Sequence, residues 1–122
     1  MEQEKKALIQ DFVQYAVRRL NLKKVPSVQL IHHEKFSQEN GSLGCYNIAL
    51  KKIQVVTHGR LAADIMRTLA HELVHRRQDE MGITGLYDGD DSASSSFEMK
   101  ANAVAGILLR DYGQKHKQIF SK

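Results

Sequence analysis

Two histidines four residues apart, with a glutamate directly after the first, lie in the segment LAHELVH, residues 69–75. Side chains four apart share one face of a helix, so His71 and His75 can direct their imidazoles at one point. Neutral imidazole is a good ligand for Zn²⁺. Glu72 lies about 100° around the helix from His71, where it can act as a general base beside the open position of a metal. This spacing predicts two zinc ligands and a base.

Glu98, in the segment FEMKANAVAG, is the candidate for a third ligand. Ala101 and Ala105 follow one and two turns along the same side of a predicted helix. Such small residues would let this helix approach the His71/His75 helix closely, as a short carboxylate ligand requires. The alternative is a capping box, because Ser95 and Glu98 have the S-x-x-E spacing in which the carboxylate only caps the helix start. We predict the ligand role.

Other polar residues receive weaker assignments. Tyr46 and Tyr87 could each donate a hydrogen bond to the oxyanion that forms when water attacks a carbonyl. Asp64 is predicted to be a solvated carboxylate at a helix start. The remaining histidines upstream of the motif are predicted to be surface or strand-end residues: His32, His33 and His58.

Composition limits the classes of protein that need be considered. With 122 residues, 42% of them hydrophobic and 26% charged, the chain is predicted to form one domain spanning residues 1–122. The N-terminal segment is charged and has no long apolar run, which favours a cytoplasmic location and no membrane span. The net charge of +4 is spread along the chain, and base-reading motifs are absent, so nucleic-acid binding is not favoured. The single cysteine, Cys45, excludes an intramolecular disulfide and is predicted to be buried.

Apolar periodicity predicts an α+β fold in the order α-β-β-β-α-α. Helices are expected over about 4–20, from 59 or 60 to 81 with Gly82 as terminator, and over 96–112. The segments expected to contain strands are 27–33, 43–50 and 53–57, the last two as a hairpin in a small antiparallel or mixed sheet packed on the HExxH helix. A loop is predicted from Gly82 to Ser95.

Three stretches resemble a known family: LGCYNIAL, VVTHGRLAADIMRTLAHELVH and FEMKANAVAGILLR. They are similar to small gluzincin metallopeptidases of the ImmA/IrrE type, and most similar to short HExxH proteins of tailed bacteriophages. The resemblance covers residues 43–110 and implies a minimal zincin fold with Zn²⁺ as cofactor. It implies His71, His75 and Glu98 as metal ligands and Glu72 as general base. SprT-type proteases share this layout but use a third histidine, and the only one downstream here is His116.

These features predict a zinc-dependent metallopeptidase. The alternative is a catalytically silent, zinc-stabilised structural or virion-associated protein, and a nucleic-acid-binding module is the least favoured class. The expected partner is a peptide or protein substrate, which would add as a β-strand to an unpaired edge within LGCYNIAL or IQVVT beside the metal. A phage or virion protein is a further possible partner, with action in the host cytoplasm or in the virion.

Overall fold

A computed structural model describes residues 3–32, 43–47, 49–82 and 91–121, with the backbone alone for residues 91–97. Within these residues, three helices, three strands and a short 3₁₀ helix follow one another. They are α1 (Gln3–Arg19), β1 (Ser27–Ile31), β2 (Gly44–Asn47), β3 (Lys52–Val56), α2 (Ala62–Glu80), α3 (Asp91–Lys115) and the 3₁₀ helix (Lys117–Phe120). The predicted α+β class and the α-β-β-β-α-α order are confirmed.

The sheet is mixed and has the strand order β1-β3-β2. β1 runs parallel to β3, whereas β2 runs antiparallel to β3 and forms the predicted hairpin with it. Asn47 supports the hairpin turn, because its Oδ1 accepts a hydrogen bond from the backbone N–H of Leu50 at 2.9 Å. Two segments were predicted as candidates for an unpaired sheet edge. The prediction is wrong for IQVVT, because β3 has a strand on each side. β2 has β3 on one side and no other described strand on its outer side.

Alternation along the strands separates a buried face of the sheet from a polar one. Ile53 and Val55 are fully buried, while Gln54 between them pairs across the strands with Gln29 and Cys45. The Nε2 of Gln54 donates to Gln29 Oε1 at 3.0 Å, and the Cys45 thiol donates to Gln54 Oε1 at 3.6 Å. Cys45 is exposed, so its predicted burial is wrong; the neighbouring Tyr46 occupies the inward position instead.

One hydrophobic cluster joins the sheet to all three helices. Its largest fully buried side chains come from α1, β3, α2 and the 3₁₀ helix: Ile9, Phe12, Ile53, Ile65, Met66, Leu69, Leu73 and Ile119. Ala101 and Ala105 of α3 are buried in the same cluster. None of the helices in the described part of the chain has both the length and the apolar character needed to cross a bilayer.

The helix boundaries agree with the sequence for α2 and differ for α3. Gly82 follows α2 with φ +73°, a conformation that favours glycine, as expected of the predicted terminator. α3 begins at Asp91 rather than near residue 96, so the last part of the predicted Gly82–Ser95 loop is helical. The rest of that loop, at residues 83–90, lies outside the described residues, as do Tyr87 and His33.

Candidate metal centre

Three side chains from two helices converge on one point. The Nε2 atoms of His71 and His75, both on α2, are 3.0 Å apart. The carboxylate of Glu98, on α3, lies 2.9 Å from His71 Nε2 through Oε2 and 2.8 Å from His75 Nε2 through Oε1. Within the described parts of the chain, these are the residues whose ligand atoms come together as a possible metal site.

The packing of α2 against α3 produces this convergence. Helical spacing aligns His71 with His75, and the small Ala101 and Ala105, both buried, let the α3 backbone come close to α2. The capping alternative for Glu98 is excluded, because Ser95 lies inside α3 rather than at its N-cap position. Glu98 is therefore a mid-helix side chain directed at the two imidazoles.

The donor set fits zinc. Two neutral imidazoles and one carboxylate form the His₂Glu set of catalytic zinc sites, in which a fourth position is left for solvent. Ligand atoms about 2.0–2.1 Å from a tetrahedral zinc are roughly 3.3 Å apart, a few tenths of an ångström more than the separations between these atoms. The Glu98 side chain is 49% exposed and that of His75 only 5%, so the cluster is buried on the α2 side and open to solvent on the Glu98 side.

Glu72 is buried beside this cluster on the adjacent face of α2. Burial raises the pKa of its carboxyl, the positive potential of His75 and His71 lowers it, and the charge of Glu98 raises it again; the net result is a raised pKa. A carboxyl group with a raised pKa is suited to taking up a proton and giving it back near neutral pH. The predicted general base therefore lies next to the predicted ligands in a suitable electrostatic environment.

The second nitrogen of each imidazole also has a partner. His71 Nδ1 lies 2.8 Å from Asn102 Oδ1, and His75 Nδ1 lies 2.9 Å from Gln78 Oε1. Neither residue was identified from the sequence. The signal was local in both cases, because Gln78 follows His75 by one helical turn and Asn102 follows Glu98 by one turn.

Strand β2 runs along α2 past the cluster. At its start, Gly44 packs against Thr68, one turn before His71. The next residue, Cys45, has a thiol whose pKa is raised by partial burial and then by the negative charge of Glu72. Tyr46 then reaches Asp79 near the end of α2. β2 is therefore the sheet edge nearest the candidate site.

A polar network fastens Tyr46 to the end of α2. The Tyr46 hydroxyl donates to Asp79 Oδ2 at 2.7 Å, and Lys51 Nζ donates to the same oxygen at 2.6 Å. Arg76, which directly follows His75 in sequence, is buried and donates to the Tyr46 hydroxyl at 3.2 Å. Because the Tyr46 proton is already used, this residue does not supply the oxyanion donor considered from the sequence.

The other sequence candidates lie away from the cluster. Asp64 is an exposed carboxylate in the first turn of α2, as predicted. His32 is at a strand end, with Nδ1 2.7 Å from Thr57 Oγ1, and His58 is exposed. His116 stacks on the Tyr112 ring at a centroid distance of 4.0 Å, which agrees with the departure from SprT-type proteases.

No family model, curated protein or solved structure matches this chain. The resemblance to gluzincin metallopeptidases therefore stays a prediction.

Proposed function

We propose that the protein is a zinc-dependent metallopeptidase in which His71, His75 and Glu98 hold the metal and Glu72 is the general base. The observation that carries the proposal is the convergence of two imidazoles and a carboxylate from separate helices beside a buried glutamate of raised pKa. A purely structural zinc site has no use for a buried base. The presence of Glu72 at this position therefore favours catalysis.

The chain's own residues divide the work as follows. When bound, zinc supplies Lewis-acid polarisation of a peptide carbonyl and of a water molecule. Glu72 takes the proton from that water as it attacks the carbonyl carbon, and then gives the proton to the leaving amine as the C–N bond breaks. The Glu98 side of the cluster is half exposed, which leaves room for the substrate.

The proposed substrate is an unfolded or looped polypeptide that lies alongside β2. This strand contacts α2 at Thr68 and at Asp79, which lie on either side of His71 and His75 along the helix, so a peptide beside it would cross the metal site. Recognition through backbone hydrogen bonds would give broad sequence tolerance. Because the one cysteine is a free thiol, a reducing compartment such as the cytoplasm suits the chain.

The first experiment measures the zinc content of the protein. Elemental analysis of protein purified without a metal-binding tag should give one zinc per chain, and a His71→Ala/His75→Ala variant should have none. Unchanged zinc content in that variant would show that the metal binds elsewhere.

The second experiment separates catalysis from metal binding. Glu72→Gln removes the base and no ligand, so it should retain zinc and lose hydrolysis of an unfolded, fluorescently labelled casein. Asp64→Asn is the matched control, because it makes the same kind of change at an exposed carboxylate of the same helix and should leave both measurements unchanged. Zinc binding by the wild type without hydrolysis of casein or a peptide library would favour the zinc-stabilised structural alternative.

A further inference from the structure

Both imidazoles of the cluster are paired with neutral carboxamide oxygens. Asn102 Oδ1 faces Nδ1 of His71, and Gln78 Oε1 faces Nδ1 of His75. The two carboxamides differ in their surroundings. Asn102 is exposed on α3, whereas Gln78 is 3% exposed and buried beneath His75. The hydrogen bond to His71 is therefore made by a solvent-exposed carboxamide, and the hydrogen bond to His75 by a buried one.

The buried carboxamide makes this contact at an energetic cost. Gln78 Nε2 is buried and has no hydrogen-bond partner within the described structure. A buried donor without a partner loses its hydration and gains nothing in return. Leucine or methionine could fill a similar volume without that loss. Packing alone therefore does not account for a glutamine at this position, whereas its hydrogen bond to His75 does.

We propose that Gln78 and Asn102 are positioning residues of the metal centre. Each oxygen accepts a hydrogen bond from an Nδ1–H group and thereby leaves the lone pair of that imidazole on Nε2, the atom that points into the cluster. The inference rests on the metal site of the proposed function and not on turnover. The two residues hold the ligands in the form and direction in which they bind a metal.

The second part of the proposal concerns the absence of charge on the carboxamides of Gln78 and Asn102. Histidine ligands are often oriented by a carboxylate, which adds negative charge behind the ring. Here both partners are uncharged, so Glu98 would be the one negatively charged group among the three ligands and their two partners. A Zn²⁺ held there would keep a net positive charge, which would increase its ability to polarise a carbonyl.

The test compares metal affinity with the stability of the metal-free protein. Gln78→Leu removes the unpaired donor, and Asn102→Ala places a better helix former at an exposed site. In thermal unfolding without zinc, Asn102→Ala should be as stable as the wild type or more stable. Gln78→Leu should be close to the wild type, because it removes one unpaired buried donor and leaves another, the Nδ1–H of His75. Both should bind zinc about 10- to 100-fold more weakly in competition with a chromophoric chelator. Gln14→Leu and Lys100→Ala, at exposed positions on α1 and α3, are the matched controls and should leave the affinity unchanged.

The Asn102→Asp variant distinguishes a role of this residue in orienting His71 from a role in packing. Asn102→Asp keeps an acceptor oxygen at the same place, so it should retain wild-type zinc affinity or exceed it, unlike Asn102→Ala. In the zinc-loaded wild type, ¹⁵N-edited NMR of the imidazoles should find the proton on Nδ1 of both histidines.

Three results would overturn the inference. They are unchanged zinc affinity in Gln78→Leu and Asn102→Ala, a loss of stability in place of a loss of affinity, or metal ligation through Nδ1. Failure of the proposed function has a different signature, because a wild type that binds zinc without cleaving polypeptides would still show these affinity differences. A wild type that binds no zinc by elemental analysis would overturn both.

Discussion

A methyl group on Gly44 would collide with the metal-site helix. An ideal Cβ at this position lies 2.5 Å from Thr68 Cγ2 and 3.3 Å from the carbonyl oxygen of Gln54. Carbon atoms in contact are normally about 3.5–4.0 Å apart, so roughly 1 Å of space must be created. Rotation of the Thr68 side chain away from this contact would cost free energy, because its χ1 angle is restricted and its hydroxyl accepts a hydrogen bond from Arg60 Nη2 at 2.7 Å. Strand β2 would have to move off α2.

Gly44→Ala should therefore lower the free energy of unfolding by about 1–3 kcal/mol, the usual range for overpacking a well-packed contact. Urea denaturation of the zinc-free protein measures this directly. Gly106→Ala is the control, since Gly106 lies inside α3 and, apart from its own helix backbone, no atom of the described residues lies within 4 Å of the added Cβ. That variant should be about 0.5–1 kcal/mol more stable than the wild type, because alanine replaces glycine in a helix.

A double-mutant cycle identifies the cause of the loss. Thr68→Ser removes Cγ2 and keeps the hydroxyl that Arg60 contacts. In that background Gly44→Ala should cost at least about 1 kcal/mol less than in the wild type. An equal cost in both backgrounds would refute the close approach of β2 to α2 and, with it, the placement of this edge along the metal site.

Three further outcomes are expected. Glu98→Ala should weaken zinc binding by more than about 100-fold in a chelator competition, which exceeds the effect of removing a residue that only contacts a ligand, with little loss of zinc-free stability because this side chain is half exposed; unchanged affinity would remove it from the ligand set. Asp79→Asn should destabilise the protein by about 1–3 kcal/mol at neutral pH. Burial would raise the pKa of Asp79, but the hydrogen bond and charge of Lys51, with its other donors, bring it below the ordinary value. Its stabilisation is therefore full above the unfolded pKa of about 3.9 and is lost as pH falls through the lower folded pKa, so the unfolding free energies of wild type and variant from urea titrations should converge at acid pH; a constant difference would contradict this. Zinc at about 100 times its Kd should add about 2.7 kcal/mol to wild-type stability and nothing to the His71→Ala/His75→Ala variant in the same titration.

Local spacing was enough to predict the helices that bury one apolar face. The ends of α1 are predicted to within one residue and those of α2 to within three, because their buried side chains repeat at the helical period. The start of α3 was missed, since serine and aspartate favour caps and turns. Their helix penalty is below about 1 kcal/mol per residue, and tertiary context routinely overrides a preference of that size. Cys45 was misjudged because four residues of strand do not reveal which alternate face is inward.

The candidate site also contains residues that local spacing predicts and residues that it does not. His71, Glu72 and His75 follow from the geometry of a single helix. Glu98 needed knowledge of how α2 packs on α3, which its flanking alanines only suggested. The Tyr46–Asp79 hydrogen bond joins residues 33 apart in sequence, and no local pattern identifies such a pair.

The strand order also constrains how the chain reaches this structure. In the hairpin, the paired residues Tyr46 and Ile53 are only 7 positions apart in sequence. The paired residues Leu30 and Val55 of β1 and β3 are 25 positions apart, and β2 lies between these two strands in the sequence. Closing the longer loop costs about 1 kcal/mol more in chain entropy, before the contacts that α1 makes with the sheet are gained. The hairpin and α2 should therefore be formed in the folding transition state, with φ-values above those of β1, which should join the sheet late. Substitutions in β1 would then mainly accelerate unfolding, while those in the hairpin would slow folding.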